Sequence, residues 1–321
     1  MKKFRTLFFF FIPFICIVFT LLWYREGSLS VDSSNKENTS FVVRQGESVA
    51  QIARNLENAH IIRNKIVFYL IVKRLGIEKS VQAGTFRLSP SMNATDIAKQ
   101  LTHGMEDTWV TVIEGLRKEE VAVIVSDRVG ISAPVFVSEA PEGYLFPDTY
   151  LMPKDATEKQ IIAIMENTFD KKVTQDIRDA ALKQGLTLDE LVTFASLLER
   201  EARSYEEKRM IAGILFNRLR DGNPLQVDAS VQYALGYDDK SKSWWKKNIT
   251  YEDLKVQSPY NTYTNAGLPP GPIANPGLDS LRAVAYPKES SYQFYITGDD
   301  GLMRYSTTYE EHLDKVDKHI Q

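Results

Sequence analysis

The sequence predicts an α+β fold, in which an N-terminal apolar helix is followed by a small mixed α+β domain and then a mainly helical domain with short strands and a C-terminal hairpin. Three observations carry this. Leu7 to Tyr24 is almost wholly apolar, and residues 41–107 alternate strand-like with helix-like stretches. From Ala156 onward, apolar residues recur at helical spacing behind capping residues, until two strand-like segments flank Gly298-Asp299-Asp300-Gly301.

As a helix, Leu7 to Tyr24 measures about 27 Å, close to the roughly 30 Å of a bilayer's hydrocarbon layer. Lys2, Lys3 and Arg5 precede it, whereas Arg25 and Glu26 after it nearly cancel. That bias predicts a single-pass transmembrane helix within residues 1–24 of a protein of the cell (cytoplasmic) membrane, its N-terminus cytoplasmic and the rest outside. A cleaved signal peptide competes, but the run is long and no small-x-small cleavage site follows it. Residues 25–40, rich in Ser, Asn, Glu and Lys, read as a flexible linker.

Within 41–107, Phe41-Val42-Val43 predicts a strand, and Gln45-Gly46-Glu47-Ser48 a turn and helix start. Val49, Ile52, Ala53 and Leu56 supply that helix's apolar stripe. Further helices are expected over 64–75 and 93–101, with a strand at 84–88 between them. At about 60 residues such a domain is marginal in size for folding alone. The strand, the Gly-Glu-Ser turn and the Ile-Ala helix resemble the LysM pattern of peptidoglycan-binding modules. Glycan binding and simple positioning of the downstream domain are both open to it.

Residues 108–153 read as a connecting segment, with a strand at 109–113, a helix at 118–129 and the aromatic run Glu142 to Tyr150. The remaining domain, 154–321, begins with helices over 157–172 and 174–184. Thr187 with Glu190, and Ser204 with Glu207, are capping boxes that open two more. In the first of these, Leu188, Leu191, Val192, Ala195, Leu198 and Ala202 share one arc, and Glu199 projects near its middle while Glu201 points away. A carboxylate facing a core is either held in an ion pair or pushed towards the neutral form that a general acid needs; helical geometry leaves both open for Glu199. Leu225 to Asp228 alternates like a short strand, with Gln226 and Asp228 on one side. The Pro- and Gly-rich stretch 258–277 specifies a rigid loop whose Tyr, Asn and Thr suit either sugar recognition or a structural connection.

Composition narrows the function. With 39 Lys and Arg against 42 Asp and Glu, the net charge of −3 does not call for nucleic acid. The one cysteine, Cys16, lies in the apolar run, and His60, His103, His312 and His319 are scattered. Neither a metal site nor a cofactor is indicated.

The blocks 142–150, 195–201, 225–236, 260–263 and 266–277, in that order and behind an N-terminal span, resemble the MltG/YceG family of membrane-anchored endolytic murein transglycosylases. The resemblance implies a lyase that cuts the MurNAc-GlcNAc bond inside peptidoglycan glycan strands and leaves 1,6-anhydro-MurNAc ends. One carboxyl group would act first as acid and then as base. By motif match that group is Glu199, and Glu199→Gln is expected to abolish cleavage. Gln226, Asp228 and Ser230, with Tyr260, Asn261 and Thr262, are the expected substrate contacts, and structural bonding at the strand-to-helix turn is an equal alternative for the first three. The family also implies association with peptidoglycan synthases. Two alternatives stand beside it. A catalytically silent, membrane-tethered wall-binding scaffold has no need of a buried carboxylate, and a hydrolytic muramidase needs a second one, for which Asp228 is the candidate.

Overall fold

The computed structural model describes residues 2–103, 105–154 and 156–320, and the side chains of all of these except 2–14, 105 and 106. The chain divides into two compact units, residues 1–110 with 150–155, and residues 111–149 with 156–321.

The first unit opens with helix α1 (Lys2–Ser28) and contains β1 (Thr39–Val43), α2 (Val49–Asn58), α3 (Lys65–Leu75), β2 (Gly84–Leu88), α4 (Ala94–Gln100), β3 (Met105–Thr111) and, from later in the chain, β4 (Thr149–Pro153). The strands form one sheet in the order β1-β2-β3-β4, with β1 antiparallel to β2 and Phe41 opposite Phe86. Each helix begins where a polar side chain satisfies its first N–H groups. Ser48 and Gln51 form a capping box for α2, and the Asn64 carboxamide accepts from two N–H groups of α3, which Gly76 ends in a left-handed conformation. The core between helices and sheet is Phe41, Leu56, Phe68, Phe86, Ile97 and Leu101 with their neighbours.

Part of the expected flexible linker, 25–40, is pinned to this unit, through contacts that reach from Glu26 to Asn35. α1 continues to Ser28, Trp23 and Tyr24 pack against the core, and Gly27 lies so close to Val67 that a Cβ would fall 2.6 Å from Cγ2. Arg63 pairs with Glu26 and donates through Nε to the Ser30 carbonyl at 2.7 Å. Ser89 Oγ donates to the Asn35 carbonyl at 2.8 Å. These partners lie 33 or more residues away in sequence, so composition does not report them. Among the described residues no helix is long and apolar enough to cross a membrane. The expected span Leu7 to Tyr24 falls partly on side chains outside the described ones.

The second unit contains α5 (Lys118–Val129), α6 (Ala133–Glu139), α7 (Glu158–Lys172), α8 (Gln175–Lys183), α9 (Leu188–Glu201), α10 (Tyr205–Arg220), α11 (Asp228–Leu235), α12 (Leu278–Ala285), the hairpin β5 (Phe294–Thr297) and β6 (Met303–Ser306), and α13 (Tyr309–His319). At its centre is α9, buried at every position from Leu191 to Leu198 and packed by α8, α10, α11 and α12. Burying Phe194, Leu197 or Leu198 contributes about 1.5–3 kcal/mol each. Both expected capping boxes form, with Glu190 N–H donating to Thr187 Oγ1 and Glu207 N–H to Ser204 Oγ, each at 3.3 Å. The expected hairpin also forms, with Phe294 opposite Ser306.

One expected strand does not form. Gln226 adopts a left-handed φ of 54°, which breaks the alternation, and Asp228 begins α11 instead. The Pro- and Gly-rich loop is a connector for most of its length. Asn275 Nδ2 donates to the Leu116 carbonyl, its Oδ1 accepts from Leu145 N–H, and Ile273 N–H donates to Ser196 Oγ on α9, at 2.9, 2.9 and 3.0 Å.

Candidate active site

The last turn of α9 carries Glu199, Arg200 and Glu201 before Ala202 turns to extended backbone. Two carboxylates at the negative end of a helix dipole are disfavoured unless something compensates each of them. Their Cβ atoms project about 200° apart, so the compensation differs.

Glu199 faces α10 and α12. Its Oε1 accepts from Lys208 Nζ at 2.7 Å, and its Oε2 accepts from Gly277 N–H at 2.9 Å and Ser280 Oγ at 2.6 Å. The Glu199 and Lys208 side chains are only 7% and 3% exposed. Three donors, one of them charged, occupy both oxygens, which is the ion-paired arrangement that helical geometry left open beside the general acid. The lysine comes from the first turn of α10, and the other two donors from the N-terminal end of α12, so this carboxylate ties three helices together.

Glu201 faces the other way, into a cleft. A cavity of about 440 Å³ is lined by Glu201, Arg218, Gln226, Asp228, Tyr263 and Tyr295, among others. A second, of about 570 Å³, is lined by Glu199, Arg200, Glu201, Arg203, Glu207 and Met303 among others, and a third, of about 530 Å³, by Glu114, Glu199, Arg203 and Lys208 among others. Glu201 borders the first and second of these cavities, and Glu199 the second and third. Its Oε2 accepts from Tyr295 Oη at 2.7 Å. Burial pushes the Glu201 pKa up to about 7; the Tyr295 hydrogen bond opposes the rise, the Asp228 charge adds to it, and Arg200 opposes it. The Tyr295 phenol is itself pushed well above its usual value, first by burial and then by Glu201, and so remains a donor. Arg200 stacks on Trp245, 3.9 Å from the ring centroid, at the edge of the first and second cavities.

The expected contacts separate into two groups. Gln226 and Asp228 line the cleft. The left-handed backbone of Gln226 presents its Oε1 to Arg218 Nη2 at 2.5 Å, and Asp228 Oδ1 accepts from Tyr263 Oη at 2.5 Å. A non-glycine residue in that conformation is strained, and such strain concentrates at functional sites. Ser230, Asn261 and Thr262, by contrast, are at most 1% exposed. Ser230 Oγ and Thr262 Oγ1 bond each other at 2.8 Å, Val227 N–H donates to Thr262 Oγ1, and Asn261 Nδ2 donates to the carbonyls of Leu254 and Val256. Tyr260 packs on Tyr233 outside the cleft lining, at a centroid distance of 4.7 Å. Ser230, Thr262 and Asn261 bond within the turn and its neighbouring backbone, whereas Tyr260 makes a ring contact.

Sequence reasoning gave no site role to Tyr263, Tyr295 or Arg218, assigned Glu201 a supporting role because it projects away from Glu199, and left His312 as part of the C-terminal helix. For Tyr263 a signal existed, because Asn261 Oδ1 accepts from Tyr263 N–H at 3.0 Å, and an Asx turn of this kind is what a buried Asn two residues ahead makes. His312 stacks on Phe294 at 5.4 Å and lines the same cavity; burial, then Arg218 and Lys315, hold its pKa below the usual value. Nothing local marks Tyr295, which a hairpin delivers from 94 residues away.

Comparison with known proteins adds a second line of observation. A family model described as the YceG-like family matches residues 41–318. A Bacillus subtilis (strain 168) protein named endolytic murein transglycosylase is 30% identical over 323 residues, 90% of this chain and 87% of that protein. A Streptococcus pneumoniae protein of the same name is 27% identical over 92% of this chain, which spans 61% of the pneumococcal protein. The crystal structure of a yceG-like protein, lmo1499 from Listeria monocytogenes, superimposes with a TM-score of 0.61 and 30% identity, over 87% of this chain and 99% of that one.

Proposed function

Because this chain belongs to the YceG-like family, we propose that it is an endolytic murein transglycosylase acting on peptidoglycan glycan strands, with Glu201 as its acid and base. The observation that supports this is Glu201, a carboxyl group whose pKa burial pushes up to about 7 and which borders both the 440 and the 570 Å³ cavities of the cleft. A strand bound along such a cleft is cut internally. Protonated Glu201 gives its proton to the MurNAc-GlcNAc glycosidic oxygen as the C1–O bond breaks and positive charge develops at C1. The resulting carboxylate then takes the proton of the muramyl C6 hydroxyl as that oxygen bonds to C1. The sugar is left as the 1,6-anhydro form, and Glu201 is left protonated for the next turnover. Tyr295 and Arg200 stabilise the anion between the two steps. Gln226, held by Arg218, and Asp228, held by Tyr263, present polar groups to the sugar from α11 and the turn before it.

One observation favours a second reading. Asp228 faces the same cavity and acts electrostatically on Glu201, which provides the second carboxylate that hydrolysis by a muramidase requires. Mass spectrometry of peptidoglycan digested by the purified chain separates the readings. Products ending in 1,6-anhydro-MurNAc are expected; reducing ends establish the muramidase, and an undigested substrate establishes the silent scaffold.

The proposal extends to location and organisation. Leu7 to Tyr24 spans the cytoplasmic membrane with the N-terminus inside, and the exposed side chains of Ile15, Ile17, Val18, Phe19, Leu21 and Leu22 support it. The β1-α2-α3-β2 arrangement is a LysM-like module that binds the same glycan outside the cell membrane, where peptidoglycan synthases deliver their product.

A further inference from the structure

The outward face of α3 is apolar where a surface helix is ordinarily polar. At 100° per residue, Ile66, Leu70 and Lys73 share an arc about 60° wide, flanked by Tyr69 on one side and Arg74 on the other. Ile66 is 54% and Leu70 42% exposed, while Val67, Phe68, Ile71 and Val72 on the opposite side fill the core. The helix is therefore amphipathic in an unusual sense, with a core face and a second apolar strip bordered by cations.

This strip lies where α1 joins the unit. Gly27 of α1 abuts Val67, and Arg63 ties Glu26 and the Ser30 carbonyl to the approach to α3. Trp23 and Tyr24, a residue pair typical of the membrane-water boundary, are four and three residues before Gly27, a rise of about 6 Å at most. The headgroup layer on each side of the hydrocarbon is of that depth, roughly 5–8 Å. On the membrane-spanning reading of α1, these contacts place the first turn of α3 near the level of the headgroups.

We infer that the Ile66, Tyr69 and Leu70 face of α3 rests in the interfacial layer of the same membrane that α1 crosses, with lipid as its occupant. The inference rests on the membrane-spanning reading of α1. Two further features fit. Arg74 makes no ion pair among the described residues, and Lys65 and Lys73 hold their carboxylate partners Glu57 and Glu78 at the border of the strip, at 2.9 and 3.6 Å. The contact is therefore mainly apolar, with a modest electrostatic contribution from anionic headgroups. Its consequence is a fixed height and orientation of this unit over the membrane, set by two anchors rather than by a tether.

The test uses the full chain in phosphatidylethanolamine-phosphatidylglycerol vesicles. In a Cys16→Ser background, which removes the single native thiol, Phe19→Cys, Ile66→Cys and Leu70→Cys are labelled one at a time with a fluorophore sensitive to polarity. All three positions are exposed, so the label does not disturb the core. Doxyl groups near the lipid headgroup are expected to quench positions 19, 66 and 70 at least twofold, and iodide in the water to quench 66 and 70 little. Quenching by doxyl lipid at 19 alone, with iodide reaching 66 and 70, overturns the inference and leaves the spanning helix standing. Shielding of 66 and 70 from both quenchers assigns the face to a second copy of the chain and overturns it as well. Quenching at none of the three overturns the spanning reading, and the inference falls with it.

Discussion

Glu199 and Glu201 are two residues apart on one helix and meet different partners because they project in nearly opposite directions. Glu199→Gln leaves the Lys208 ammonium buried without its counter-charge, a change that costs about 3–5 kcal/mol. Chemical denaturation is expected to show this loss, while the fraction still folded keeps cleaving. Glu201→Gln is expected to lower cleavage by about 10²–10⁴-fold or more with the fold intact. The reverse pattern, an inactive but stable Glu199→Gln protein, would return the acid role to Glu199. The protonation state gives an independent check. The acid must hold its proton to begin the reaction, so kcat/KM is expected to fall as pH rises through about 7. Tyr295→Phe removes the hydrogen bond that lowers the Glu201 pKa, so that limb should move to higher pH in a pH-rate profile.

At the scale of elements, local signals locate most helices and fail where a distant partner decides the backbone. Ser48, Asn64, Thr157, Thr187 and Ser204 each sit at the N-cap that their sequence patterns indicate, since a cap is satisfied within three residues. Leu225 to Asp228 has the alternation of a strand without being one, because the conformation of Gln226 depends on Arg218, eight residues before it, and on the Thr262 carbonyl, which accepts from its N–H at 3.0 Å. Gly213 shows the same override in α10. Helix propensity alone favours alanine there by about 1 kcal/mol. A Cβ at Gly213, however, would lie 2.0 Å from the Lys288 carbonyl oxygen, in a segment whose N–H already donates to the Arg209 carbonyl at 2.9 Å. Gly213→Ala is therefore expected to destabilise the protein by about 1–3 kcal/mol, read as a lower denaturation midpoint.

Over the whole molecule, buried carboxyl groups make stability depend on pH in an unusual direction. Besides Glu201, the Glu142 pKa is pushed up from 4.5 to about 8, first by burial and then by the nearby Glu119 charge. The folded chain thus binds more protons than the unfolded chain between those values. The contribution of Glu142 is full below about 4.5 and is lost as pH rises through about 8. Thermal melts are expected to show Tm falling from pH 5 to pH 8.5, and a smaller fall in Glu142→Gln. The fold needs this carboxyl group in place, since its Oε1 accepts from Lys118 N–H at 3.0 Å and Asn275 Nδ2 at 3.3 Å, joining segments 24 and 133 residues from it. Glutamine keeps an oxygen at that position without the cost of a charge.

By itself the sequence determined the α+β class, the positions and caps of the main helices, the C-terminal hairpin and the family, because each of these is written in spacing over a few residues or in an ordered series of motifs. Helical periodicity also determined that Glu199 and Glu201 point in opposite directions. Only the tertiary structure decided what lies in each direction. The apolar side of α9 proved to hold a lysine, a hydroxyl and a backbone N–H for Glu199 and the other side a tyrosine for Glu201, and each of the two residues borders two cavities. Periodicity fixes an angle around one helix axis. The environment of a carboxyl group is set by residues up to 94 positions away, and those meet it only when the chain has folded.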